Sequence, residues 1–560
     1  MVRSRILNLV VKLSYVVFGA AVFSLWLTAL FHISSLCKGN SDGAFLVIAG
    51  NSVLKGNFLL RGYHLSLLDP FFPFDIYLNA LFIKIFGFRP ALSHIVPVFI
   101  FLILIAVSLL YVIEANKGRA LKIGILMLFV FLALPVGDFA VWGLLEYHLS
   151  TVVLSLAAIF LINMFLKRHN YIYLICGFLI LAVSLINDNL TMIISVIPLI
   201  AALFVFYKYK NGLKNKDSLF VIIAIIAVIS SIPFKELMLS LITAAGGFKL
   251  VSGISPRFIP LKYFQRNLYL FFSDILYLFD INFFGKKLYD VFTWINIAKL
   301  AGLGAVIYAA GIVVKKLKTA ENSDFIDITL LFGIVVLVLA FLMSDLAANR
   351  ASARYLIPVV VYGFILSSRN IPAIASKYYS SISFKLICAV IIIAYTVSFE
   401  YAAFTPIPVS PYRTLGNWFL KHNFTYGYGS YWDSGIVTLM TRGKIKVRQI
   451  NASNYGKLVP YNWLSKNSWY KEKGVFVIYS KYKMYGGVDK SSIIKTFGKP
   501  SKIYTEYFQG VFNKVYGSYG TAAKNIMPPF IIKIYVYNKG IIIDGKNDMN
   551  VKYRKHRAGG

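Results

Sequence analysis

Acidic residues are scarce in this chain: 23 Asp and Glu stand against 58 Lys and Arg in 560 residues. Charge of either sign is thin, at 14% of residues, whereas 58% are hydrophobic and 16% aromatic, and mean hydropathy is +0.69. A soluble globular chain carries about 25% charged residues, so that class is excluded and an integral membrane protein is expected. The basic excess does not read as nucleic-acid binding, because the cations lie in short clusters between apolar runs, as orientation signals do. Cysteine is nearly lacking: three residues, Cys37, Cys176 and Cys388, stand far apart, which leaves neither a disulfide framework nor a thiolate metal site. There is no Walker loop, no G-x-G-x-x-G opening a helix and no H-E-x-x-H, so the common nucleotide and zinc-protease chemistries have no foothold.

What is present is a succession of about eleven apolar runs long enough to cross a bilayer. They lie near 8–33, 91–113, 120–137, 148–166, 171–187, 189–207, 218–233, 291–314, 325–343, 354–368 and 386–404. The first is too long for a signal-peptide core and lacks a small-residue cleavage site, so it is expected to be a retained span. The segment FFPFDIYLNALFIKIFG (71–87) is short for a span and carries Asp75 and Lys84. If it lies along the interface, Arg3 and Arg5 share a side with the clusters around Lys117, Lys167, Lys208, Lys315 and Arg369, as the positive-inside rule asks. This places the N-terminus in the cytoplasm of a cytoplasmic-membrane protein. An odd number of spans then puts the region after 404 outside. There the patches KIKVRQI, GVFVIYS and IIKIYVYN alternate with helix-like stretches at 411–422 and 489–497, the pattern of a mixed α/β domain. The expected organisation is an all-α polytopic membrane domain (1–404) with a long first outer loop (34–90), followed by an extracytoplasmic α/β domain (405–560).

With sides assigned, most acids of the membrane half fall at the outer ends of helices. For most positions, Asp69, Asp274 and Asp280 among them, simple tolerance of acids outside the cytoplasm is explanation enough. Three stretches ask for more: NSD (Asp42), LLEYH (Glu146, His148) and INDN (Asp188) each sit where an apolar run meets a loop. A carboxylate there has little water and needs a partner. Such acids suit sugar transfer from a polyprenyl-phosphate donor. The lipid tail keeps the scissile bond at the membrane surface, and a hydroxyl acceptor needs a carboxylate to take its proton. The leaving phosphate needs Arg, Lys or a divalent metal such as Mg or Mn. Arg257, Arg350 and Arg354 are the outer cations available for it, and Asp75 joins the first-loop residues facing substrate. Glu146 and His148 offer a further acid-base pair. In SYWDSG (430–435), Asp433 is expected to cap a helix and Trp432 to serve as a core aromatic.

This layout resembles the GT-C superfamily of membrane glycosyltransferases, which includes protein O-mannosyltransferases, the lipid A aminoarabinose transferase and oligosaccharyltransferases. GNSVLKGNFLLRGYHLSLLDPFFPFDIYLNALFIKIFG is similar to the first-loop segment of that superfamily, and RYLIPVVVYGFIL (354–366) to a recurrent span start. The resemblance implies an early catalytic acid at Asp42, interfacial helices over 43–55 and 72–87, a second-loop acid at Glu146 and an outer C-terminal domain. It implies a lipid-phosphate sugar donor and a glycan, lipid or protein acceptor, with no nucleic-acid partner. Asp42 would be the general base, Glu146 would orient acceptor or metal, Asp188 would support them, and Arg350 or Arg354 would hold the donor phosphate. SYWDSG also echoes an oligosaccharyltransferase signature, without its first Trp. A transporter or lipid-glycan flippase is the rival from another class, but it would show mid-span acids and two related halves, and neither is evident.

Overall fold

The computed structural model describes residues 2–36, 39–145, 148–209, 216–252, 256–319, 324–407, 409–480, 488–508 and 530–543. Every apolar run read from the sequence forms helix. The membrane half comprises α1 (Val2–Leu36), α2 (Ser41–Leu54), β1 (Tyr63–Ser66), α3 (Phe74–Phe86), α4 (Leu92–Ala115), α5 (Gly118–Leu128), α6 (Gly137–Gly143), α7 (His148–Arg168), α8 (Tyr171–Asn187), α9 (Ile197–Tyr209) and α10 (Lys216–Ala244). It continues through β2 (Lys249–Val251), α11 (Phe264–Leu278), α12 (Val291–Ala298), α13 (Leu300–Lys318), α14 (Phe325–Met343), α15 (Ile357–Ala375) and α16 (Ile382–Phe404). Among the described residues, 8 helices are long and apolar enough to cross a membrane, or up to 9 if one bent pair is a single span. The runs at 171–187 and 189–207 form shorter apolar helices.

Several ends differ from the apolar runs for local reasons. The run 120–137 is broken: α5 continues as a π-helical turn (Phe129–Ala133), and the chain then bends by 79° into α6. The run 291–314 is two helices meeting at Lys299. The helix containing 218–233 does not stop at Pro233 but continues to Ala244.

The segment 71–87 does not cross. Its helix α3 has only 13 residues, about 20 Å at 1.5 Å per residue, short of a hydrocarbon core of about 30 Å. It lies across α2 instead. A Cβ added at Gly50 would stand 2.8 Å from the Ala80 backbone nitrogen, so only glycine lets these two helices approach so closely.

Two separate ends of the helical bundle collect charge. At one, Arg369 of α15 donates to Asp327 (2.6 Å) and Glu114 (2.7 Å) and pairs with Asp324 (3.3 Å), while Lys167 reaches Asp324 (3.1 Å) and Glu114. Asp42, Asp69, Asp75, Asp138, Asp188 and Asp274 lie away from this network, in the loops and helix ends of the opposite side.

After α16 the chain forms α17 (Pro411–Lys421), β3 (Tyr426–Gly429), α18 (Tyr431–Met440), β4 (Lys446–Ala452), β5 (Leu458–Pro460), β6 (Ser465–Lys466), β7 (Gly474–Ser480), α19 (Lys490–Phe497), β8 (Lys502–Phe508) and β9 (Phe530–Ile541). Six strands make a mixed sheet in the order β5-β4-β3-β7-β9-β8. The α/β character expected from the alternating patches is there, but this region does not stand apart from the loops. Strand β6 pairs antiparallel with β1 of the first loop, and β1 pairs parallel with β2, giving a three-stranded sheet β2-β1-β6. Helix α18 lies on α2: a Cβ on Gly435 would sit 3.6 Å from Ala44 Cβ. Thr405, the residue after α16, ties this region to the first span, since His32 Nε2 lies 2.7 Å from its carbonyl oxygen.

Candidate active site

Four acids from two distant stretches meet where α2, α3, α7 and α8 end. Asp42 enters on the first turn of α2. Asn40 caps this helix by accepting from Gly43 N at 3.0 Å, and the helix N-terminus favours the nearby carboxylate. Asp188 is the residue that ends α8. Its Oδ1 accepts from Leu190 N (2.8 Å), and its Oδ2 receives Thr151 Oγ1 (2.8 Å) and the His148 ring Nδ1 (2.6 Å).

The turn at 187–189 also gathers the first loop. Phe71 N donates to the Asn187 carbonyl (2.9 Å), Asn189 N donates to the Leu68 carbonyl (2.7 Å), and Asn189 Nδ2 donates to the Leu67 carbonyl (3.1 Å). These bonds fix Asp69 and Asp75 beside Asp188. The Asp75 carboxylate is buried and accepts from Ser150 Oγ (2.8 Å) and Asn187 Nδ2 (2.7 Å). Asp69 accepts from Ser66 Oγ. Burial pushes both carboxyls up to about 7. For Asp69, His148 opposes the rise while Asp188 and Asp42 add to it; for Asp75, the Asn187 and Ser150 hydrogen bonds oppose it. Carboxylates crowded out of water in this way exchange protons near neutrality.

The sixth member of the site comes from beyond the membrane half. Tyr431, the first residue of α18, donates its hydroxyl to Asp42 Oδ1. The ring is buried, and burial and the Asp42 charge push its phenol well above the ordinary value. This residue is missing from the sequence-based set, because no local signal links positions so far apart. Asp69 is a correction of another kind. Tolerance of acids outside the cytoplasm does not account for it, since it is enclosed with Asp42, Asp188 and His148.

The expected helix cap also moves. Ser430, not Asp433, is the N-cap of α18; Asp433 lies in the first turn, fully buried, where Ser430 Oγ (2.6 Å) and Tyr412 OH (3.4 Å) reach its carboxylate. Trp432 is half-buried and stacks edge-on against Tyr431 at 5.1 Å.

The two arginines before α15 separate. They lie on a 3₁₀ turn (Arg350–Leu356) capped by Asn349, and at three residues per turn, side chains four apart do not share a face. Arg354 donates to Tyr355 OH (3.0 Å), and the Tyr355 ring lies 5.6 Å from the His148 ring, so this cation borders the acid cluster. Arg350 instead pairs with the buried Asp138 (3.4 Å) and stacks on Tyr277 (3.3 Å to the ring centroid). The neighbouring Asp274 is fully buried and pushed up to about 7 by burial and by Asp138, with Arg350 opposing. Arg257 does not reach the cluster. It is exposed in a loop whose Arg257 N donates to Asp345 Oδ1 (2.8 Å).

Glu146 lies outside the described residues, so the Glu146–His148 pairing rests on sequence alone; His148 itself is bonded to Asp188. Among the described residues, no group of three or more His, Cys, Asp or Glu could hold a metal ion. The described side chains therefore do not make a ligand set for the divalent metal that the sequence admits.

ArnT from Cupriavidus metallidurans, solved bound to undecaprenyl phosphate, superposes with a TM-score of 0.51 at 10% identity, over 93% of this chain and 97% of that one. The two chains share a fold. The Archaeoglobus fulgidus oligosaccharyltransferase, solved with Zn and sulfate, aligns at a TM-score of 0.48 with 13% identity over 81% of this chain and 67% of that one. No protein-family model and no curated protein matches the sequence. At 93% coverage of this chain the superposition extends into the region after α16, where the mixed sheet lies.

Proposed function

We propose that this protein is a membrane glycosyltransferase that moves a sugar from a polyprenyl-phosphate-linked donor to an acceptor on the outer face of the cytoplasmic membrane. Its N-terminus would be cytoplasmic, with residues 1–404 forming the membrane domain and 405–560 an extracytoplasmic one. The observation that carries the reading is the convergence of Asp42, Asp69 and Asp188 with His148 at one end of the bundle, bordered by Arg354. A bond whose lipid half must stay in the bilayer is reached from such a position, and the neighbouring GT-C structures support the fold.

Asp42 acts as general base. It is only partly buried, and the Tyr431 hydroxyl aims it; a carboxylate so placed takes the acceptor proton as the hydroxyl attacks. Asp188, held by three hydrogen bonds, positions His148 and Thr151 beside the reacting centre. Asp75 braces α3 against α7 and α8. Arg354, and Arg350 once released from Asp138, neutralise the leaving phosphate.

The test is transfer in proteoliposomes from a polyprenyl-phosphate-linked radiolabelled sugar. Wild type releases polyprenyl phosphate, and Asp42→Asn slows release at least about 100-fold. Normal turnover by that variant removes the assigned role. The carrier or flippase alternative predicts movement of intact lipid-linked sugar across the membrane without cleavage, which the same vesicles report.

A further inference from the structure

Apart from the acid cluster, one buried cation among the described residues has no ion pair with an acid. Arg448 on β4 is only 8% exposed, and its Nε has no hydrogen-bond partner. Its guanidinium lies 4.3 Å from the Trp469 ring centroid and 5.8 Å from that of Tyr426. Two residues earlier on the same strand, Lys446 finds Glu472 at 3.5 Å. Arg448 has more cations as neighbours instead. Lys466 of β6 stands over the Tyr63 ring (5.3 Å), and its ammonium is held below its ordinary value by burial, then by Arg448 and by Lys55. A desolvated charge with no carboxylate beside it, set near a like charge, is costly. Ring stacking and the side-chain hydrogen bond with Tyr426 recover part of that cost, but they do not account for two cations converging from separate strands.

The place of this cluster is informative. It lies in the seam where β6 pairs with β1, the strand whose far end, Ser66, holds Asp69. A row of rings joins it to the acid cluster. Tyr431, bonded to Asp42, lies 5.9 Å from Tyr461, and Tyr470 OH is 3.3 Å from the Tyr461 carbonyl oxygen, next to Trp469. Aromatic faces followed by a fork of five guanidinium donors suit a molecule with sugar rings and an oxyanion.

We propose that Arg448 and Lys466 form an anion-binding subsite for the acceptor, taking a phosphate or carboxylate group while the attacking hydroxyl lies at Asp42. The word acceptor rests on the transferase reading; the binding of an oxyanion does not.

The test uses the full-length protein in phosphatidylcholine nanodiscs. Inorganic phosphate and glucuronate are titrated while the thermal unfolding midpoint is followed. A parallel arm counts phosphatidylglycerol retained by native mass spectrometry. Wild type is expected to show a saturable rise with at least one soluble anion, or selective retention of the anionic lipid, which separates a free oxyanion from a headgroup. Arg448→Gln weakens the effect about tenfold or more, and Lys466→Gln, at a less buried position, weakens it in the same direction. Asp42→Asn leaves anion binding intact whether or not it abolishes transfer, so the two readings fail separately. Binding unchanged in both Arg448→Gln and Lys466→Gln, or no saturable effect of any anion on wild type, overturns the proposal.

Discussion

Tyr431 and Asp42, 389 residues apart in sequence, share a hydrogen bond in which the phenol donates to the carboxylate. The contact joins the first turn of α18 to the first turn of α2, so the region after the last span contributes a side chain to the acid cluster. A donor placed this way orients the carboxylate for proton transfer. Tyr431→Phe is therefore expected to retain fold and donor binding and to slow transfer about tenfold. Initial rates identical to wild type contradict this role.

Asp75 links pH to stability. Its folded carboxyl is raised from 3.8 to about 7, so the folded protein holds a proton that the unfolded chain gives up. The stabilisation is full below the unfolded value and is lost as pH rises through about 7. The thermal midpoint of wild type should fall by a few degrees between pH 5 and pH 8, and Asp75→Asn, which cannot ionise, should flatten that dependence.

Arg350 and Asp138 form a second, independent relationship. Asp138 is fully buried, whereas Arg350 is 32% exposed. Removing the arginine alone leaves a buried carboxylate facing Asp274. Arg350→Gln is expected to destabilise the protein by about 2 kcal/mol or more, and Asp138→Asn in the same chain should restore much of it. Purely additive losses in a double-mutant cycle would show that the pair is not coupled.

Sidedness is checked without reference to activity. Lys318, at the end of α13, and Lys457, in the turn before β5, are both exposed. In a cysteine-free background, Lys457→Cys should react with an impermeant maleimide in intact cells and Lys318→Cys only after lysis. The reverse pattern places the acid cluster in the cytosol.

Much of this arrangement was legible in sequence because bilayer thickness and loop charge leave a strong imprint. All the apolar runs became helices, Asp42, Asp75, Asp188 and His148 share one site, and strand GVFVIYS lies at 474–480 as its pattern suggests. What was not legible depended on tertiary contact. Asp69 sits in LDPFFPF, a stretch with no periodicity, and becomes significant only because the backbone of 187–189 stitches it in place. Tyr431 lies in SYWDSG, a motif noticed for Trp432 and Asp433, and nothing in it pointed to a partner 389 residues away. Arg350 and Arg354 read as equivalent until a 3₁₀ turn sent them to different partners. The shift of the α18 cap from Asp433 to Ser430 reflects how closely Ser and Asp compete for that position.

The central claim is that lipid phosphate and sugar meet at the Asp42 cluster, and the most direct measurement is a structure of the protein in nanodiscs with bound polyprenyl phosphate. The phosphate should lie within hydrogen-bond distance of Arg354, with room for a sugar between Asp42, Asp69 and Asp188. A phosphate seated at the opposite end, among Arg369 and Lys167, would contradict it.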